Sequence, residues 1–235
     1  MTDRVPFFQN APFPNGRDMN NTEARRPLAS RSTRWAAVLS SAAVRVGLTA
    51  DGISILSLVF AVAGSAGLLW LPAPWNLLVC AAGIQLRLLC NLLDGMVAIE
   101  GGRKSKVGAL YNEVPDRVAD SLFLVALGYA IGTPWLGWLG ALAAAVTAYI
   151  RVLGGTFGLP QDFRGPLAKP HRMAVMTVGC LLAIGEFYFF DATGFDSHGT
   201  ATLRILHLAA WVIALGAIVT CVTRLRAIGR QLRAR

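Results

Sequence analysis

Six long apolar stretches dominate the hydrophobic pattern of this chain, and short polar links separate them. Each stretch has about 20 residues or slightly more, the length that a helix needs to cross a hydrocarbon core of about 30 Å. The stretches lie near residues 52–71, 75–99, 107–131, 134–157, 173–190 and 203–223. We therefore predict an all-α integral membrane protein with six transmembrane helices.

Residues 22–46 show a different pattern, in which arginines are interspersed with apolar side chains such as Trp35 and Leu39. A basic amphipathic helix of this kind lies in the membrane interface with its arginines toward anionic headgroups. A basic leader that merely precedes the first span is the alternative. The predicted parts of the chain are a disordered tail at 1–21, a cytoplasmic interfacial amphipathic helix at 22–46, a six-helix membrane catalytic domain at 47–226 and a basic tail at 227–235.

The charge distribution predicts how the chain is oriented. Only 15% of the residues are charged, 54% are hydrophobic, and the formal net charge is +9. With so apolar a chain, the basic excess indicates an anionic membrane surface as the partner and no nucleic acid. The basic residues concentrate in the links between spans two and three and between spans four and five, and at the C-terminal end. The positive-inside rule places these links and both termini in the cytoplasm.

Polar residues within spans two and three point to chemistry, because charged groups inside a membrane are costly and mark function. Asn91 and Asp94 are three residues apart on span two, and Asn112, Asp116 and Asp120 are each four apart on span three. Such spacings share a helix face, and a short glycine turn lets the two faces converge. Carboxylate and amide oxygens suit Mg²⁺, which binds through few carboxylates plus substrate phosphates. A buried polar network that holds the helices together is the alternative.

The spacing of these residues is that of a long motif, D-x2-D-G-x2-A-R-x8-G-x3-D-x3-D. The matching residues are Asp94, Gly95, Ala98, Gly108 and Asp116. The chain thus resembles the CDP-alcohol phosphotransferase family of integral membrane enzymes. Residues 48–54, which open span one, also look like the T-P-N-x-x-T segment of that family. Six spans with a leading interfacial helix match the family architecture, so the resemblance covers roughly residues 25–225.

Three motif positions differ from the family pattern. Asn91 and Asn112 stand where the motif has aspartate, and Ile99 stands where it has arginine. The asparagines indicate a branch of the family that carries asparagine at both positions. Their neutral oxygens leave the site with two fewer negative charges, so we expect it to hold a divalent ion less tightly. Asp120 and Glu113 have no family role; each could supply negative charge or pair with a neighbouring arginine.

The resemblance implies transfer of a phosphatidyl group from CDP-diacylglycerol to the hydroxyl of a small, phosphorylated alcohol, with release of CMP, in phospholipid biosynthesis. It implies Mg²⁺ or Mn²⁺ as cofactor, with a metal site of Asn91, Asp94, Asn112 and Asp116. Asp116 would also be the general base. The CDP pocket would be shaped by Gly95, Ala98, Ser105 and Gly108, and glycine lets a nucleotide approach the backbone closely.

The resemblance also implies an acceptor-binding cluster on the cytoplasmic side, because arginine binds phosphate with a bidentate fork. This cluster consists of Arg151, Arg164, Lys169 and Arg172. Topogenic charge alone is the alternative interpretation. Family analogy further implies a homodimer in the bacterial inner membrane, with the active site facing the cytoplasm.

Three other functions remain open from the sequence. One is an enzyme with a CDP-amino-alcohol donor and diacylglycerol as acceptor, against which the basic cluster argues. Another is an ion-coupled transporter, since intramembrane acids and asparagines also mark ion pathways; the acids here lie at one face and not at the midplane. The third is a catalytically inactive, lipid-binding relative, which the two asparagines keep open.

Arg87 lies about twelve residues into span two, within the hydrocarbon region. An unpaired guanidinium is costly there, and Asn91 and Asp94 follow on the same helical face. Arg87 is therefore expected to point into the helix bundle beneath the proposed site. We predict that it pairs with Asp120, one turn deeper into span three than Asp116. Independent snorkelling of Arg87 is the alternative.

Overall fold

Seven α-helices make up the part of the chain that the computed structural model describes, which is residues 33–100, 108–193 and 202–235. They are α1 (Arg34–Arg45), α2 (Ala50–Trp70), α3 (Trp75–Glu100), α4 (Gly108–Ala130), α5 (Pro134–Thr156), α6 (Lys169–Thr193) and α7 (Thr202–Arg233). The all-α prediction is confirmed. The predicted N-terminal tail, residues 22–32 of the predicted amphipathic helix and Ser105 lie outside the described residues.

Five of the helices in the described ranges are long and apolar enough to cross a bilayer, namely α2, α3, α5, α6 and α7. They identify the chain as an integral membrane protein. The remaining long helix, α4, has 23 residues. Residues 113–120 of this helix include Glu113, Asp116, Arg117 and Asp120, and these four charged side chains exclude it from the set of apolar spans.

Capping groups explain why α2 and α5 begin where they do. Thr49 precedes α2 with extended backbone dihedrals, and its Oγ1 accepts a hydrogen bond of 3.1 Å from the Gly52 N–H. That bond satisfies one of the free N–H groups of the first turn. Pro134 opens α5, where its fixed φ suits a first turn and its missing N–H costs nothing.

Glycines allow the central helices to approach closely. A Cβ added at Gly83 on α3 would lie 2.8 Å from Gly64 Cα on α2. A Cβ added at Gly137 on α5 would lie 2.6 Å from the Leu124 carbonyl oxygen and 2.9 Å from Gly128 Cα on α4. Small residues at such crossings are how helices pack in a membrane, where the lipid is as apolar as the side chains. A Cβ added at Gly64 would also lie 2.9 Å from Phe123 Cε1 on α4, so α4 is held between α2 and α5.

Helix α1 packs along α3 through its small residues. Ala36 is fully buried beside Leu92 and Met96, and Ala43 lies in a cluster with Cys90 and other apolar residues. The opposite side of α1 exposes apolar residues, including Val38. This packing fixes α1 against the α3 segment that carries the proposed metal ligands.

The start of α6 differs from the sequence prediction. Lys169 and Arg172 were expected in the link before the fifth span, and this placement was wrong: both belong to the first turn of α6. The Ala168 carbonyl accepts from the N–H groups of His171 and Arg172 at 2.9 and 3.2 Å, which carries the helix back to Lys169. Pro170 suits a first turn. Both cationic side chains therefore stand on a rigid element.

We predict that Gly137→Ala lowers the thermal unfolding midpoint in detergent, because the new methyl would press on backbone atoms of α4 that cannot move independently. Overpacking of this kind costs about 1–3 kcal/mol. Gly155→Ala is the matched control on the same helix, since no atom lies within 4 Å of a Cβ there. Tryptophan fluorescence during heating measures both. Equal midpoints for the two variants would contradict the close α4–α5 contact.

Candidate active site

A cavity of about 570 Å³ lies among α3, α4, α5, α6 and α7, beside the start of α1. Trp35, Leu88, Leu89 and Leu92 form an apolar part of its wall. The charged and amide side chains on its polar part are Gln85, Asn91, Asn112, Glu113, Asp116, Arg117, Arg151, Lys169, Arg172 and Arg224. Gly95 also lines it. A cavity of this size with one apolar and one polar wall suits the headgroup region of an amphiphilic ligand.

Asp116 lies at the centre of the polar wall, with a side chain that is only 10% exposed. Its Oδ1 accepts hydrogen bonds from Asn91 Nδ2 at 2.9 Å and from an Arg87 guanidinium nitrogen at 3.2 Å. The Lys169 ammonium contacts its Oδ2. Three side chains from α3 and α6 thus fix the orientation of this carboxylate on α4.

Asp120 lies one turn deeper and joins two buried arginines. Its Oδ1 accepts from Arg87 at 2.8 Å and its Oδ2 accepts from Arg172 at 2.9 Å. The Arg87, Asp120 and Arg172 side chains are exposed by 2% or less. The predicted pairing of Arg87 with Asp120 is confirmed, and independent snorkelling of Arg87 is excluded. Sequence reasoning missed that Arg172 is the second partner of the same carboxylate.

Asp94 lies behind the cavity wall, toward α2. It is buried, and its Oδ2 accepts a 2.9 Å hydrogen bond from Ser54 Oγ. It was predicted to share a face with Asn91, but three residues correspond to a rotation of about 300° in a helix. The side chains therefore diverge by about 60°: Asn91 reaches α4 while Asp94 reaches α2. Among the described cavity-lining residues, neither Asp94, Ala98 nor Gly108 appears.

Two arginines build the side of the cavity that faces α5 and α7. Arg151 contacts Glu113, donates to Gln161 at 3.0 Å and lies over the Phe163 ring at 5.5 Å. Arg224 is buried and donates to the carbonyl oxygens of Arg164 and Thr147 at 2.8 and 2.7 Å. It thereby ties the loop before α6 to α5.

Arg224 is a cavity residue that the sequence analysis did not single out, because it was counted with the basic C-terminal residues. The available signal was its position four residues after Thr220, on the same face of an apolar helix. Thr220 is fully buried and accepts from the Leu167 N–H at 3.1 Å. An arginine on that face had to point into the bundle.

Arg164, one of the four predicted acceptor-binding residues, is placed differently from the other three. Its side chain is 67% exposed and donates to Asp162 Oδ1 at 3.0 Å, and it is absent from the described cavity wall. Burial would raise the pKa of Asp162, but hydrogen bonds from the Arg164 side chain and backbone hold that pKa below its usual value. The Arg164 backbone carbonyl still supports Arg224.

The oxygen ligands present fit one divalent ion. Two carboxylates and two amide oxygens were predicted for the site, and no group of three His, Cys, Asp or Glu residues suited to a metal occurs within the described ranges. Mg²⁺ needs only one or two carboxylates when substrate phosphates complete its shell. Three of the four predicted ligands, Asn91, Asn112 and Asp116, lie on the wall, and this donor set would suit a single ion whose shell a bound diphosphate completes.

The charged groups on the cavity wall do not balance. Five described wall residues are basic (Arg117, Arg151, Lys169, Arg172 and Arg224), while Glu113 and Asp116 are acidic. Three positive charges are left, and a cleft with low-dielectric walls focuses such a field. The cavity therefore attracts an anionic ligand and opposes a cation pathway.

The comparisons with known proteins agree with this arrangement. The chain is 28% identical over 231 residues to a phosphatidylinositol phosphate synthase of Streptomyces avermitilis, covering 92% of this chain and 85% of the relative. It is 26% identical over 202 residues to the Mycolicibacterium smegmatis protein of the same name, covering 81% and 82%. No protein-family profile matches the chain.

Solved structures of Mycobacterium tuberculosis phosphatidylinositol phosphate synthase share the fold. The structure in complex with manganese and citrate has a TM-score of 0.66 at 24% identity, covering 82% of this chain and 88% of that one. The structure with CDP-DAG bound has a TM-score of 0.65, covering 83% and 94%. Fold and site thus define a helical membrane enzyme of the phosphotransferase class. In sequence and fold the chain is similar to enzymes of the CDP-alcohol phosphatidyltransferase family.

We predict that Asp120→Asn strongly destabilises the protein, because it leaves two buried guanidinium groups without their carboxylate. Removing one partner of a buried ion pair typically costs about 3–5 kcal/mol. Glu113→Gln is the matched control: it also removes one carboxylate of α4, but that side chain is 43% exposed. Yield of monodisperse protein and its thermal midpoint measure the difference. Similar midpoints for the two variants would show that Asp120 does not hold the bundle together.

Proposed function

We propose that this protein transfers the phosphatidyl group of CDP-diacylglycerol to the hydroxyl of a small phosphorylated alcohol and releases CMP. The observation that carries the proposal is the carboxylate of Asp116 on the wall of a cavity with three excess positive charges. Both reactants are anionic, so this wall suits them. The names of the curated relatives make an inositol phosphate the first acceptor to test.

In the proposed mechanism Asp116 is the general base. It takes the proton of the acceptor hydroxyl, whose oxygen attacks the phosphorus next to diacylglycerol while the bond to the CMP oxygen breaks. Arg87 and Asn91 orient the carboxylate through their hydrogen bonds. Phosphoryl transfer of this kind depends on positioning and charge neutralisation more than on covalent chemistry.

A Mg²⁺ or Mn²⁺ ion, when bound, would neutralise charge on the diphosphate. We assign its ligands to Asp94 and Asp116 with the amide oxygens of Asn91 and Asn112. Gly95, Ala98, Ser105 and Gly108 are assigned to the CDP pocket. The acceptor phosphate is assigned to Arg151, Lys169 and Arg172, with Arg224 beside them; Arg164 enters this set only if its exposed side chain turns toward the cavity.

The same proposal includes the membrane topology. Helix α4 is about 34 Å long at 1.5 Å per residue and packs between α2 and α5, so it crosses the bilayer with them as the third of six spans. Its polar residues face the cavity and the buried arginines instead of lipid. Helix α1 then lies at the cytoplasmic interface, and the active site faces the cytoplasm of a bacterial cell. A homodimer remains a prediction.

The alternatives fit the cavity less well. Diacylglycerol as acceptor carries no phosphate, so it leaves the excess positive charge of the wall unused. A lipid-binding protein without activity needs no carboxylate held in a fixed orientation. The deciding assay is release of CMP from CDP-diacylglycerol by purified protein, with inositol phosphate, glycerol phosphate, unphosphorylated inositol and diacylglycerol as acceptors. CMP release that requires a phosphorylated acceptor supports the proposal, and release with diacylglycerol plus a CDP-amino-alcohol overturns it.

We predict that Asp116→Asn and Asp94→Asn each abolish CMP release while the protein still inserts in the membrane. A general base alone contributes roughly 10²–10⁴-fold to rate, and a lost carboxylate ligand weakens the hold on the ion. Single-turnover assays measure CMP release, and membrane fractionation checks that each variant is inserted. If a variant keeps more than about a tenth of wild-type turnover, the loss is too small for a general base. The substituted residue then does not have the role assigned to it in the mechanism.

We predict that Arg151→Gln raises the acceptor KM much more than the CDP-diacylglycerol KM, because its guanidinium stands on the α5 side of the cavity. Arg226→Gln is the matched control: it removes an equal charge from an exposed position on α7. Arg164→Gln should resemble the control, since its side chain pairs with Asp162 outside the wall. If all three variants behave alike, the acceptor does not bind at this wall.

A further inference from the structure

Both oxygens of the Asp116 carboxylate are engaged by nitrogen donors of the protein itself. Oδ1 accepts from Asn91 and Arg87 at 2.9 and 3.2 Å, and the Lys169 ammonium contacts Oδ2. The side chain is 10% exposed, so little water competes for these positions. A cation that approaches Asp116 therefore meets a carboxylate that already has partners.

Asn91 makes this arrangement possible. Its Nδ2 lies 2.9 Å from Asp116 Oδ1. Two carboxylates at that separation cannot both stay ionised unless a cation lies between them. With the Asn91 amide in place no such cation is needed, because the amide donates a hydrogen bond to Asp116 where a second carboxylate would repel it.

Lys169 supplies the positive charge by which the cations of this cluster outnumber its carboxylates. Arg87 is shared between Asp116 and Asp120, and Asp120 is already bound by Arg172. Without Lys169 two carboxylates would face two guanidinium groups; with it the cluster has three cations for two carboxylates. Lysine is suited to such a position because its ammonium is a compact charge on a flexible stem that can move away.

We propose that Lys169 is the built-in counter-cation of Asp116, so that a divalent ion gains this carboxylate only by displacing the ammonium. The inference rests on the proposed function for the identity of the ion. It makes Lys169 a residue that sets metal affinity through Asp116, in addition to its place in the acceptor wall. The freed ammonium would stand in the same wall as Arg151 and Arg172.

Binding of Mn²⁺ to the purified full-length protein tests the proposal without lipid or turnover, by the electron paramagnetic resonance signal of free Mn²⁺. Lys169→Met should tighten Mn²⁺ binding about tenfold or more, since it removes a charge in direct contact with the ligand. Arg226→Met removes an equal charge from an exposed site on α7 and should change affinity less than about twofold, because exposed charges are screened. Lys169→Arg should keep the wild-type affinity.

A second readout follows from linkage, since a ligand that binds only the folded protein raises its unfolding midpoint. Mg²⁺ should raise the midpoint of Lys169→Met more than that of wild type. Lys169→Gln, which retains a hydrogen-bond donor, gives the same comparison if the methionine variant does not fold. Unchanged Mn²⁺ affinity in the Lys169 variants, or equal changes in Arg226→Met, overturns the proposal. If wild type releases CMP and either of these two affinity results is found, only this inference is overturned. If the expected change in Mn²⁺ affinity is found but wild type releases no CMP, only the proposed function is overturned.

Discussion

The Asp120 carboxylate lies between two guanidinium groups that come from different helices, and the cavity depends on this contact. Arg87 reaches it from α3 and Arg172 reaches it from α6, at 2.8 and 2.9 Å. All three side chains are buried, and an unpaired charge is costly in a buried position. Because both arginines are anchored to Asp120, the residues beside them are held in place. Arg87 also orients Asp116, and the first turn of α6, which carries Arg172, presents Lys169 to the Asp116 carboxylate.

Charged groups of the same kinds surround Asp116, which lies one turn nearer the cavity, and there we propose that they serve the chemistry. Asp116 is oriented by an amide, a guanidinium and an ammonium, while further arginines on α5 and α7 enlarge the positive wall. Such a site suits a reaction between anions, in which charge must be neutralised and two reactants aligned. The glycine contacts that bring α4 against α2 and α5 matter for this reason: they place the polar first half of α4 inside the bundle.

The sequence predicted the helices well because each apolar stretch has the length that a bilayer requires, and most boundaries lie within a few residues. It also predicted the Arg87–Asp120 pair, since a buried charge must have a partner and helical spacing restricted the choice. Other features depend on helix rotation and packing, which spacing alone does not settle. Asp94 turns toward Ser54 and away from Asn91, Arg172 serves Asp120, and Arg224 enters from a helix far along the chain. Residue type indicated which side chains could form a site, and tertiary contacts decided which helix each of them contacts.

The most direct test of the central claim follows the acceptor oxygen through the reaction. Purified protein is given CDP-diacylglycerol, Mg²⁺ and inositol phosphate whose hydroxyl groups carry ¹⁸O, and both products are analysed by mass spectrometry. If the acceptor hydroxyl attacks the phosphorus next to diacylglycerol, the label appears in the phospholipid at the new ester bond and the CMP carries none. If Asp116 activates that hydroxyl, Asp116→Asn forms neither product under the same conditions. Label in CMP, or formation of phosphatidic acid in place of a labelled phospholipid, would contradict the account.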